Sequence, residues 1–88
     1  MQHLHKREYL NAGDAFRLTS DTQCNFILLD DSNYSTYKSG TGFKCHGGKF
    51  VKFPAMLVAP SSGYWNAVVD LGGGSANIRY SLDVIKNK

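Results

Sequence analysis

The chain has 88 residues, of which 42% are hydrophobic and 19% are charged. That length allows one domain with a small core, and the composition is typical of a globular protein rather than a disordered one. The formal net charge of +3 falls short of the dense Lys/Arg stripe of a dedicated nucleic-acid binder, and no run approaches the roughly 20 apolar residues of a membrane-spanning helix. We predict a single domain over residues 1–88.

The first part of the chain predicts two short strands. Residues 3–9 form a short segment directly followed by the turn-like sequence at 11–14, so an opening strand is the economical interpretation. Residues 15–19 alternate apolar and polar side chains, which predicts a half-buried strand with Phe16 and Leu18 on its inner face.

The run CNFILL at residues 24–29 is short, apolar and bounded by polar residues. At that length it favours a central strand buried on both faces over a helix. The polar residues that follow end the strand, and we expect at most one helical turn near residues 32–38, capped by Ser32 or Asp31. Tyr34 and Tyr37 would then lie on one side and hold the loop against the core.

The second half predicts further strands. Phe43 to His46 is expected to form a strand, Gly47-Gly48 a hairpin turn, and residues 49–53 the returning strand. Pro54 lacks an N–H and therefore belongs at a sheet edge or a strand end, and residues 55–59 continue extended.

The last two strands are predicted from β-branched, aromatic and alternating residues. In the segment 64–71 the core-facing set is Trp65, Ala67, Val69 and Leu71, and a glycine-rich loop follows at 72–75. The final strand alternates cleanly through Ile78, Tyr80, Leu82 and Val84.

Six to eight short strands with frequent turns predict an all-β protein, a small antiparallel β-sandwich or barrel. The stretch MQHLHKREYL lacks the apolar core of a secretory signal, so we expect a cytoplasmic protein with reduced thiols. One Cys24–Cys45 disulfide remains an alternative, because two cysteines allow one pairing.

Metal binding and nucleophilic catalysis are disfavoured by spacing. The side chains that could bind a metal follow no ligand motif; they are His3, His5, His46, Cys24 and Cys45. Adjacent Cys45 and His46 would point to opposite faces of a strand. No local arrangement marks a base that would activate a cysteine. We therefore predict no catalytic residues, no cofactor and no metal.

Three segments together resemble a known family. They are LLDDSNYSTYKSG, the PSSGYWNAVVDLGG block, and the opening His-x-x-x-Tyr-Leu-x-x-Gly-Asp. The chain resembles, over nearly its whole length, the bacterial family called domain of unknown function 1883. The resemblance implies a small all-β protein, joined in some members to a Toll/interleukin-1 receptor (TIR) domain. It therefore suggests an accessory or sensing module in bacterial defence signalling. Cys45-His46 stands where the family has aromatic residues, and the family has no established catalytic residues.

The polar segment 30–42 is longer than a hairpin requires, and such loops on β scaffolds often carry function. We expect a non-catalytic binding module that recognises a protein or a small anionic ligand there and at nearby lysines. The predicted surface comprises Asp30, Asp31, Asn33, Tyr34, Tyr37, Lys38, Lys44, Lys49 and Lys52. Two alternatives remain open: homo-oligomerisation, and binding of single-stranded nucleic acid by the interleaved rings and lysines.

Overall fold

A computed structural model describes residues 4–40, 42, 44–70 and 79–87. In that part of the chain there are seven strands and one short helix. In chain order they are β1 (Leu4–Leu10), β2 (Ala15–Ser20), β3 (Cys24–Asp30), α1 (Asp31–Ser39), β4 (His46–Phe50), β5 (Ala55–Val58), β6 (Gly63–Asp70) and β7 (Tyr80–Ile85). The prediction of an all-β fold is confirmed.

The strands form two antiparallel sheets. One has four strands in the order β1-β6-β3-β4, and the other has three in the order β5-β2-β7. β3 is an inner strand, as its continuous apolar run predicts. The opening strand, the strand at residues 15–19, and the strand that follows the turn at 60–63 are also confirmed.

The core lies between the two sheets and uses alternate side chains of each strand. Phe16 and Leu18 project from β2, and Trp65, Ala67 and Val69 project from β6 into the same cluster, as predicted. We call the opposite face of the four-stranded sheet its outer face. A second cluster lies there, formed by Ile27, Leu29 and Val68. Two-sided burial of β3 is therefore confirmed, because its alternate residues belong to different clusters.

β4 differs from the prediction. Gly47 and Gly48 do not turn the chain; both lie inside one strand, paired with Ile27 and Phe26 of β3. Gly47 has φ of 103°, and a Cβ there would meet the Phe26 carbonyl oxygen and the Leu57 side chain. The hairpin prediction was wrong because glycine serves close backbone approach as well as it serves turns.

The helix is longer than the single predicted turn. It has nine residues, and its N-cap is Asp30 rather than Ser32 or Asp31, since the Asp30 side chain accepts a hydrogen bond from the Asn33 N–H. It ends at Gly40, which adopts φ of 82°, a left-handed conformation that glycine reaches without steric cost. No helix within the described residues is long and apolar enough to cross a membrane.

Some predictions fall on parts of the chain that the structure does not describe. Leu71, the loop at 72–75 and Ile78 lie outside the described residues, as do His3 and Phe43. Of the last strand, Leu82 and Val84 are confirmed as packing against the core, whereas Tyr80 is 46% exposed.

The close approach at Gly47 predicts a specific cost of substitution. Gly47→Ala should destabilise the fold by about 2 kcal/mol or more, because the new Cβ meets backbone and the φ is unfavourable for alanine. Urea unfolding measures this change. Gly42→Ala is the matched control, since a Cβ at Gly42 meets nothing within 4 Å. Equal stability of the two variants would contradict the close approach.

Candidate functional site

α1 lies on the outer face of the four-stranded sheet. Tyr34 and Tyr37 pack against the cluster that Ile27, Leu29 and Val68 form. The Tyr37 hydroxyl donates a hydrogen bond to Asp70 at 3.1 Å. Burial, and then the neighbouring Asp70 carboxylate, raise the pKa of Tyr37 to about 12. The two tyrosines therefore hold this segment against the sheet, as the sequence predicts.

Asn66 links the helix to the strands beneath it. Its side chain is completely buried, and its amide nitrogen donates to the Asp31 carboxylate at 2.9 Å and to the Leu29 carbonyl at 3.3 Å. Its amide oxygen lies 2.7 Å from His5 Nε2. That oxygen can only accept, so His5 Nε2 is the donor. The His5 ring stacks on Tyr34, with centroids 4.1 Å apart.

Arg7 completes this group of contacts. It donates two hydrogen bonds to Asp31, at 2.9 and 2.7 Å, and its guanidinium lies 3.9 Å from the centre of the Tyr64 ring. The hydrogen bonds from Arg7, and then that from Asn66, lower the pKa of Asp31 to about 2. Both members of the ion pair are about half exposed, so solvent screens their attraction. The pair orients the start of α1 more than it stabilises the fold.

A cleft of about 620 Å³ lies where β3 runs into α1 and the chain enters β4. We call it the α1–β4 cleft. Its lining combines apolar and aromatic side chains with polar and charged ones: Leu28, Asp30, Asn33, Lys44, Cys45, His46 and Trp65. The Trp65 and His46 rings meet edge to face, with centroids 6.0 Å apart. The Trp65 indole N–H donates to the Ser61 carbonyl at 2.9 Å.

One side chain joins the two walls of the α1–β4 cleft. The Asn33 amide oxygen accepts a hydrogen bond from the Lys44 backbone N–H at 2.8 Å, and its amide nitrogen donates to Asp30 at 3.0 Å. The segment that enters β4 is thereby fixed against the first turn of α1. The side chains of Lys44, Cys45 and His46 are exposed, and Lys44 forms no ion pair within the described part of the chain.

The structure divides the predicted surface. Asp30, Asn33 and Lys44 line the α1–β4 cleft, whereas Asp31, Tyr34 and Tyr37 are used to attach α1 to the sheet. The other three predicted lysines, Lys38, Lys49 and Lys52, do not line the cleft. The Lys38 ammonium lies 4.7 Å from the centre of the Tyr34 ring, Lys49 pairs with Asn25 across the outer face, and Lys52 is in the bend after β4.

Four residues of the cleft lining were not in the predicted surface: Leu28, Cys45, His46 and Trp65. The sequence predicted Trp65 as core, which is confirmed, but its second role depends on its cross-strand pairing with Asp30. Leu28 likewise pairs with His46. Both pairings depend on the register between strands that are distant in sequence. Because the sequence pattern predicts a turn at Gly47-Gly48, it does not predict that His46 pairs with Leu28.

Of the cysteines and histidines that the structure describes, Cys45 and His46 line the α1–β4 cleft, whereas Cys24 lies in β3 and His5 lies in β1. Cys24 is buried in β3, Cys45 is exposed, and both are free thiols. Burial raises the pKa of the Cys24 thiol. Across residues 4–40, 42, 44–70 and 79–87, no group of three His, Cys, Asp or Glu side chains is arranged to hold a metal ion.

The contacts of Asp31 predict a measurable titration. Its carboxyl group should titrate near pH 2, because the pKa is lowered to about 2 from an ordinary value of 3.8. A lowered pKa means that the contact stabilises the fold above about pH 4 and that this stability is lost as the pH falls toward 2. Carboxyl ¹³C NMR measures the titration. Arg7→Gln should move it toward 3.8, and a wild-type value already near 3.8 would contradict the account.

Comparison with known proteins assigns a family and nothing further. No curated protein and no solved structure matches the chain. One family model, described as domain of unknown function (DUF1883), matches residues 1–88. The resemblance in the three sequence segments is therefore confirmed over the full length, and the chain belongs to the DUF1883 family.

Proposed function

We propose that this domain is a non-catalytic binding module and that the α1–β4 cleft is its binding site. The ligand group has a flat apolar part and an anionic part, carried by a small molecule or by a side chain of a partner protein. The observation that carries the proposal is the combination, in one cleft, of an aromatic floor and an exposed lysine that no described acidic side chain pairs with.

The aromatic floor of the α1–β4 cleft is the reason for proposing a ligand with a flat apolar part. Leu28, Trp65 and the His46 ring give the cleft apolar and aromatic surface, and aromatic rings favour stacked or edge-to-face contact with other rings. The cleft volume of about 620 Å³ is within the range typical of small-molecule sites, which place a few polar groups around an apolar lining.

The charged residues that line the α1–β4 cleft are the reason for proposing a ligand with an anionic part. Lys44 lines the cleft and forms no ion pair with another described residue, and the whole chain has a net charge of +3. Asp30 is the acidic residue of the lining, but its carboxylate accepts two hydrogen bonds from Asn33 and lies at the positive end of the α1 dipole. The charge of Asp30 is therefore partly offset, whereas no acidic side chain in the described part of the chain pairs with Lys44.

Two other functions have less support. Binding of a nucleic-acid strand needs cations along one track, but Lys44 lines the cleft while Lys49 is on the outer face of the sheet. Nucleophilic catalysis needs a base that hydrogen-bonds the thiol, and no described residue hydrogen-bonds Cys45. The accessory role beside a TIR domain, which the family resemblance implies, stays a prediction.

The test uses 1-naphthoate, a flat aromatic anion, added to ¹⁵N-labelled protein. We expect saturable NMR shifts of the Trp65 indole N–H and of the Lys44 and His46 amides. Trp65 is the chain's only tryptophan, so its indole signal is unambiguous. Neutral 1-naphthamide and non-aromatic cyclohexanecarboxylate should each bind more weakly, because each lacks one of the two recognised features.

A pair of charge-reversal variants locates the site. Lys44→Glu should raise the Kd for 1-naphthoate about tenfold or more, equivalent to about 1.4 kcal/mol. Lys49→Glu, the same change on the outer face of β4, should leave the Kd within about twofold of the wild type. Absence of shifts at the cleft, or equal weakening by both variants, would contradict the proposal.

A further inference from the structure

We propose that the chain binds a second copy of itself through the edge of β5 that faces away from β2, by antiparallel pairing of β5 with β5 about a two-fold axis at Leu57. This surface is separate from the α1–β4 cleft, and the proposal does not depend on the proposed function. It predicts a continuous six-stranded sheet across the dimer, in the order β7-β2-β5-β5-β2-β7.

The direction of the backbone groups of β5 follows from its pairing. The Ala59 N–H donates to the Asp14 carbonyl at 2.7 Å, and the Ala59 carbonyl accepts from the Gly13 N–H at 3.0 Å. Alternate residues of a strand point their backbone groups the same way. The backbone N–H and C=O groups of Leu57 therefore point toward β2, whereas those of Met56 and Val58 point away from β2. Among the described strands, β5 pairs with β2 alone.

The other strand edges carry features that oppose pairing. β1 presents the charged run Lys6-Arg7-Glu8, β4 contains Gly47 at positive φ together with Lys49, and β7 contains Asp83. Charges and backbone irregularities of these kinds protect natural sheet edges against association. β5 has the sequence AMLV, with no charge, no proline and no glycine.

The side chains at this edge are exposed and apolar. Met56 is 47% exposed and Val58 is 54% exposed, and they project from the face opposite the core. In the two-fold arrangement, Met56 of each copy lies opposite Val58 of the other. Each of these two pairs exchanges both N–H···O bonds, as hydrogen-bonded antiparallel pairs do, giving four intermolecular hydrogen bonds.

A second copy fits this edge better than a charged partner does. The arrangement is self-complementary, as a two-fold interface must be, and it sets apolar side chains against apolar ones. The nearest charged side chain on that face of β2 is Arg17, which is already paired with Asp83 at 3.3 Å. Two copies with net positive charge can therefore meet here without placing like charges opposite each other.

Analytical ultracentrifugation over a micromolar-to-millimolar concentration series tests the proposal. We expect the wild type to change from monomer to dimer. Val58→Lys should raise the dimer Kd about tenfold or more, because each copy then brings a lysine to the pairing edge. Thr19→Lys is the matched control, since it adds the same charge to an exposed position of β2, the central strand of the same sheet, and should leave the Kd unchanged.

A second variant tests the hydrogen bonds themselves. Met56→Pro removes an N–H that points away from β2, so the three-stranded sheet keeps its own hydrogen bonds while the dimer loses two of four. Circular dichroism establishes that each variant is folded. A wild type that stays monomeric throughout, or a Val58→Lys variant that dimerises as well as Thr19→Lys, would overturn the proposal.

Discussion

The buried amide of Asn66 is the interaction on which the arrangement of this domain depends. A buried amide must satisfy its hydrogen bonds or cost stability, and Asn66 does so by bonding to His5, Asp31 and the Leu29 carbonyl. Those partners belong to β1, α1 and β3. The same side chain therefore fixes where the helix begins over the sheet, and the tyrosine contacts of α1 follow from that position.

The position of α1 in turn shapes the α1–β4 cleft. One wall is the first turn of the helix, where Asp30 and Asn33 lie, and the other is the segment that enters β4. Gly47 allows β4 to approach β3 closely, and the chain does not reverse direction there. His46 therefore lies beside Trp65 rather than at the end of a hairpin. The shape of the cleft thus depends on two residues in different strands: Asn66, whose buried amide positions α1, and Gly47, which has no side chain and lets β4 approach β3.

The sequence predicted the elements whose signals are local. Alternation identified β2 and the inner face of β6, and the short apolar run identified β3 as an inner strand. The helix cap was predicted one or two residues too late, at Asp31 or Ser32 instead of Asp30. All three residue types are good caps, and only the tertiary contact with Arg7 shows that the Asp31 side chain is used elsewhere. The cleft could not be predicted, because its lining depends on the pairing of Asp30 with Trp65, which is a matter of register between distant strands.

The central claim is that Asn66 holds α1 on the sheet, and amide hydrogen exchange of an Asn66→Leu variant tests it most directly. Leucine nearly keeps the buried volume but removes all three hydrogen bonds. We expect exchange in α1 to accelerate about tenfold or more, consistent with local opening of that element, while β2 amides remain as protected as in the wild type. Unchanged protection of α1, or equal loss of protection in α1 and β2, would contradict the account.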